Sequence, residues 1–139
     1  MALTKATQNV ITGLLPTTGG TITGEVLFGI PAETKATPTI SAGALTLDLS
    51  TATLFYVSLN ANVTSFTFSN PPASPKSFSF TLQFVADGTL RAVTWPIAVR
   101  WPGGSAPTLT STANKVDTFT FVTHDGGTNW FGFVSGQNS

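Results

Sequence analysis

Near the middle of the chain, Ser77-Phe78-Ser79-Phe80-Thr81-Leu82-Gln83-Phe84-Val85 leaves little choice of local structure. Phe78, Phe80, Leu82 and Phe84 share one parity, and Ser77, Ser79, Thr81 and Gln83 share the other. Successive side chains of a strand point to opposite faces, whereas a helix would wind this pattern around its circumference. The stretch therefore reads as a β-strand on a sheet with one buried and one wet face. Asp87-Gly88 then turns the chain.

A second strong pattern runs from Lys115 to Val134. Val116, Thr118, Thr120 and Val122 alternate with Asp117, Phe119, Phe121 and Thr123; Asp125-Gly126 supplies a positive-φ turn pair, and Trp130 to Val134 returns as an aromatic strand. This is a β-hairpin. Apolar side chains fall on both parities, Phe119 and Phe121 on one, Val116 and Val122 on the other, and Trp130 and Phe131 are adjacent. A strand apolar on both faces lies inside a sandwich or against a neighbouring subunit.

The remaining pattern is of the same kind. Leu45, Leu47 and Leu49 alternate with polar or small residues, and Leu54 to Leu59 reads as a central strand. Asn60-Ala61-Asn62 turns the chain into a strand from Val63 to Ser69, with Phe66 and Phe68 on one side. Asn70 to Pro75 is a loop, because its prolines cannot donate to a ladder. Leu90 to Trp95 reads as the strand returning from Asp87-Gly88. Pro96 and Pro102 confine Ile97 to Trp101 to a short or edge strand, and Thr108 to Thr112 reads as one more short strand. Short strands with frequent turn signals and no helical periodicity imply an all-β chain, an antiparallel β-sandwich or jelly-roll-like domain over residues 41–139.

Residues 1–40 differ in texture. They carry five glycines and three prolines with only short apolar patches, too little to form a core. This segment reads as an extended N-terminal arm that anchors on another protein through Leu14, Leu15, Ile22, Val26 and Phe28.

Charged residues make up 9% of the chain, against about 25% in an ordinary soluble domain. Threonine and serine, 25 and 12 residues, take over much of the polar surface. The six basic residues are scattered and the net charge is zero, which argues against nucleic-acid binding by charge. No cysteine is present, so disulfides and thiolate metal sites are excluded. No apolar run approaches the roughly 20 residues of a membrane helix, and Val10 to Pro16 is too short and interrupted for a signal-peptide core.

Catalytic and metal-binding chemistry finds little support. His124 has no cysteine to pair with and no serine in a nucleophile elbow, so it reads as a turn residue. Asp87, Asp117 and Asp125 match no calcium-loop spacing; Asp87 and Asp125 read as turn formers and Asp117 as a surface strand position. The expectation is no enzyme, no cofactor and no metal. Trp95 and Trp101 each precede a proline, where bulky rings plug the end of a sandwich. A ligand-facing reading instead takes Trp101 with Gly104 and His124 as a glycan-contacting cluster.

A family resemblance rests on Trp95-Pro96-Ile97-Ala98-Val99-Arg100-Trp101-Pro102-Gly103-Gly104, on Ala106-Pro107-Thr108-Leu109, on Val116 to Thr123, and on Asp125-Gly126-Gly127-Thr128-Asn129-Trp130-Phe131-Gly132. This string resembles the carboxy-terminal β domain of tail-fibre, head-fibre and decoration proteins of tailed bacteriophages, notably those of cyanobacteria and marine bacteria. Met1 to Ile11 is similar to the leader of such virion proteins, and Pro16 to Gly24 resembles a fibre segment. The resemblance implies a non-enzymatic virion structural protein, usually a homotrimer, assembled in the host cytoplasm. Only about 40 residues precede the domain, which favours a short knob on a surface over a long fibre. The expected role is a capsid decoration or cement protein whose arm lies on the major capsid protein or another virion protein. A short tail or head fibre recognising a host glycan is the alternative, and membrane insertion is not expected.

Overall fold

A computed structural model describes residues 32–139. Eight strands follow in order: β1 (Lys35–Ala36), β2 (Ala44–Asp48), β3 (Leu54–Leu59), β4 (Ser65–Ser69), β5 (Phe78–Ala86), β6 (Val99–Arg100), β7 (Val116–Thr123) and β8 (Trp130–Gly136). A single 3-10 turn, Pro102–Gly104, follows β6, so among the described residues the chain is all-β.

The strands form two sheets. Six of them lie in the order β1-β3-β5-β7-β8-β6, and β2 pairs with β4. The pairing is mixed rather than antiparallel throughout. β5-β7 and β7-β8 are antiparallel, while β1-β3, β3-β5, β2-β4 and β6-β8 are parallel. Parallel neighbours need a crossover, and here a strand of the other sheet supplies it: β4 of the small sheet lies between β3 and β5 in the chain, and β3 of the large sheet lies between β2 and β4.

The alternation in β5 decides the packing. Phe80, Leu82 and Phe84 are buried, and so are Phe119 and Phe121 on β7, Trp130 on β8, and Phe55, Val57 and Leu59 on β3. Leu45, Leu47 and Phe66 of the small sheet are buried in the same cluster, with Phe68 packed on it. The two sheets meet through rings: Phe68 stands edge-on to Phe80 at 5.0 Å and to Trp130 at 5.5 Å, while Phe80 stacks on Phe121 at 5.0 Å. Each such pair adds about 0.5–1.5 kcal/mol to the area term, so the aromatic layer fixes how the sheets sit on one another.

Two expected strands do not form. Leu90 to Trp95 makes only the single parallel bridge Val63↔Val93, because β5 already has β3 on one edge and β7 on the other. Thr108 to Thr112 is not a strand either. Instead, Leu109 is buried in the core, and Thr110 donates from its backbone N–H and its hydroxyl to Asp117, each at 2.6 Å. Asp117 is therefore not the surface position read from the sequence: it is 2% exposed, and it also accepts from Asn138 N–H at 3.1 Å. Its parity with Phe119 and Phe121 carries it inward, and the three donors offset the cost of burying a carboxylate.

Residues 32–40, the last part of the expected arm, add β1 to the sheet and pack Ala36 and Ile40 on the core. Leu14, Leu15, Ile22, Val26 and Phe28 lie outside the described residues.

Candidate interaction surface

Alternation gives the large sheet a second face, and its chemistry differs from an ordinary solvated one. Strand register aligns its outward positions in rows. Phe133 of β8 lies beside Thr120 of β7, Thr81 of β5 and Leu54 of β3; the next row runs Thr118, Gln83, Tyr56. Val122 stands beside Phe131, and Val116 beside Val85. Across these four strands no outward position is charged. Lys35 on β1 and Arg100 on β6 stand only at the two margins, Lys35 with its ammonium 5.4 Å from the centre of the Tyr56 ring. Tyr56, Phe131 and Phe133 are 36–46% exposed, so large apolar side chains project from this face into solvent.

The sheet ends at the β7–β8 turn in a network of polar groups. Asp125 accepts from the Asn129 side-chain amide at 2.8 Å, from Asn129 N–H at 3.0 Å and from the buried Thr123 hydroxyl at 2.9 Å. Asn129 in turn accepts from Arg100 Nε and Nη2 at 3.0 and 2.7 Å, which ties the short β6 to the turn. The Asn129 side-chain amide leads in holding the Asp125 carboxyl down at about 2; its backbone N–H, Thr123 and the nearby His124 add to this. Gly127 has φ +86°, and a Cβ there would come within 2.8 Å of Pro71 Cγ, so the turn needs glycine to seat against the proline loop. Asp125 is thus a turn former, and Asp87 is another: it accepts from Thr89 N–H at 3.0 Å and pairs with Arg91.

The sequence-marked residues are placed unequally. His124 is exposed and its ring lies parallel to Phe131, centroids 5.7 Å apart. Trp101 is half-buried, edge-on to Trp95 at 4.9 Å and within 6.0 Å of Phe119 and Phe121. A Cβ at position 132 would meet its ring at 3.0 Å, so Gly132 makes the room in which it packs. Trp101 is mainly a packing residue, and what it offers outward is one wall of a shallow groove shared with Arg100, Pro102, Phe131 and Phe133. Through Phe131 that groove adjoins His124. Gly104 is an exposed turn residue with φ +79° and is not among the groove's lining. The exposed aromatics Tyr56, Phe131 and Phe133 were not marked as site residues from the sequence, although the second apolar parity of the hairpin already pointed to this face.

Among the described residues no three His, Asp or Glu side chains gather where they could hold a metal ion. Asp87, Asp117 and Asp125 each serve a separate local network. No family model matches the chain, and no curated protein and no solved structure is significantly similar to it.

Proposed function

We propose that this chain is a non-enzymatic structural protein of a tailed-bacteriophage virion, a trimeric decoration or cement protein on the head shell. In this reading the two stacked sheets are a jelly-roll-like sandwich, and the N-terminal segment lies as an arm across the major capsid protein. The motif resemblance of residues 95–134 and of the N-terminal segment supplies the virion context. The observation that carries an assembly role is the uncharged outer face of the large sheet, with Tyr56, Phe131 and Phe133 exposed on it. A surface of that kind suits a protein that works in contact with others. The mechanism is mechanical: many weak contacts, multiplied by three copies, oppose outward pressure on the shell.

Co-sedimentation with empty shells of the phage's major capsid protein tests it. The full chain should sediment with shells, and a chain lacking residues 1–31, which keeps β1, should remain folded and stay in the supernatant. Shell binding retained by the shortened chain would sink the anchoring role.

One observation favours a second reading, a short fibre that binds a host glycan. The groove walled by Trp101, Phe131 and Phe133 has Arg100 at its edge, a combination of flat rings and hydrogen-bond donors that suits a sugar. Since Trp101 also packs on the core, Phe131→Ala is the cleaner probe: glycan binding that it abolishes, with the melting temperature unchanged, would favour the fibre.

A further inference from the structure

The proposed function needs copies of the chain to meet but leaves the meeting surface open. We infer that the outward face of β3, β5, β7 and β8 is that surface, closed against the same face of two further copies around a threefold axis. This deepens the trimeric part of the reading above.

Three observations lead there. The first is charge. Outward positions on the four strands are threonine, serine, glutamine, valine, leucine and aromatic residues, with Lys35 and Arg100 only at the margins. A partner carrying its own charges would find nothing between the two margins to match them, whereas an identical face is uncharged there too; Lys35, over the Tyr56 ring, and Arg100, bonded to Asn129, are both exposed and stay at the wet rim of the contact.

The second is size. Four strands at about 4.8 Å spacing and about seven residues at about 3.3 Å rise give a footprint of about 19 by 23 Å, roughly 440 Å². An uncharged surface of that extent, carrying Tyr56, Phe131 and Phe133, is of the size, about 300–600 Å², at which a patch on a soluble protein is often functional.

The third is closure. Three faces about 19 Å wide, set as the sides of a triangle, place each sheet about 5.5 Å from the central axis. That is close to half of the ≈10 Å at which facing sheets fill the space between them, so side chains of ordinary length would fill the centre. Phe133, Thr120, Thr81 and Leu54 form one continuous row across the face and would supply that filling. The sheet's outer strands, β1 and β6, are two residues each, too short to offer a competing edge-to-edge pairing.

Light scattering over a dilution series tests the inference, using the full chain and three variants. Thr120→Lys and Tyr56→Lys place a cation on the face at two separate strands, and Ser105→Lys places one on an exposed loop away from it. The full chain and Ser105→Lys should have the mass of a trimer. Thr120→Lys and Tyr56→Lys should stay folded by circular dichroism, since a lysine at an open position reaches water, and the concentration at which they dissociate should rise at least about 100-fold. A monomeric full chain, or trimers unaffected by both face lysines, would overturn the assignment. Because no shell takes part, this result stands apart from the co-sedimentation result: a trimer that ignores shells refutes cementing and leaves the face intact.

Discussion

β5 and β7 are each two strands in one. Their inward residues, Phe80, Leu82, Phe84, Phe119 and Phe121, are at most 2% exposed and interlock with the small sheet. Their outward residues, Ser79, Thr81, Gln83, Thr118, Thr120 and Val122, sit one position away on the same backbone and meet no second layer among the described residues. The inner face is specified by shape, ring against ring. The outer face is specified by what it lacks, since threonine and glutamine keep it wettable without giving it charge. The comparison teaches that fold stability and assembly can be altered separately on a single strand by moving one residue along it.

The largest effect should come from the pair Phe121 and Val122. Phe121→Ala removes a ring in contact with Phe68, Phe80 and Trp101 and should cost about 3–5 kcal/mol in urea unfolding. Val122→Ala, next along the chain but outward, should cost less than about 1 kcal/mol. Equal losses would break the distinction between the faces.

Next is Asp117, the one buried carboxylate among the described residues. Asp117→Ala leaves the Thr110 and Asn138 N–H groups without their acceptor and should cost about 2–3 kcal/mol, with faster hydrogen exchange at both amides. A change under about 0.5 kcal/mol would return it to the surface role suggested by the sequence. Gly132→Ala should follow at about 1–3 kcal/mol, because the added methyl meets Trp101 and Phe121, and Trp101 fluorescence should shift as the ring moves.

The smallest effect is one of pH at the turn. The folded carboxyl of Asp125, at about 2, lies below its unfolded value near 3.8. Its contribution to stability is thus complete above about pH 4 and is lost as the pH falls through about 2. Melting temperatures from pH 5 to pH 2 should fall less steeply for Asp125→Asn than for the unaltered chain. Parallel curves would remove Asp125 from the acid response of the turn.

Much of the fold was legible because it is local. β5 could be read from its own alternation, and the β7–β8 hairpin from two patterned runs around Asp125-Gly126. What could not be read was which strand neighbours which. The parallel β3–β5 pairing joins segments separated by β4 and a proline loop, and nothing in either segment encodes its partner. For the same reason Leu90 to Trp95 looked like a returning strand, although its place beside β5 is held by β3 and β7. Asp117 was legible in principle, since it shares parity with Phe119 and Phe121; its partner Thr110 lies seven residues back, in a segment without regular structure. The outer face was half legible. The two-sided hairpin signalled it, but the alignment of Phe133 in one row with Leu54, and of Tyr56 in the next row, depends on the register of four strands.

The most direct test of the central claim uses the absence of cysteine, which makes a single introduced thiol a clean probe. Thr120→Cys and Ser105→Cys would be labelled with a thiol reagent over a range of protein concentrations. The expected result is labelling at position 120 that is slow in concentrated protein and speeds up on dilution, while the rate at the exposed position 105 stays the same. A rate at position 120 that does not change with protein concentration would contradict a closed outer face.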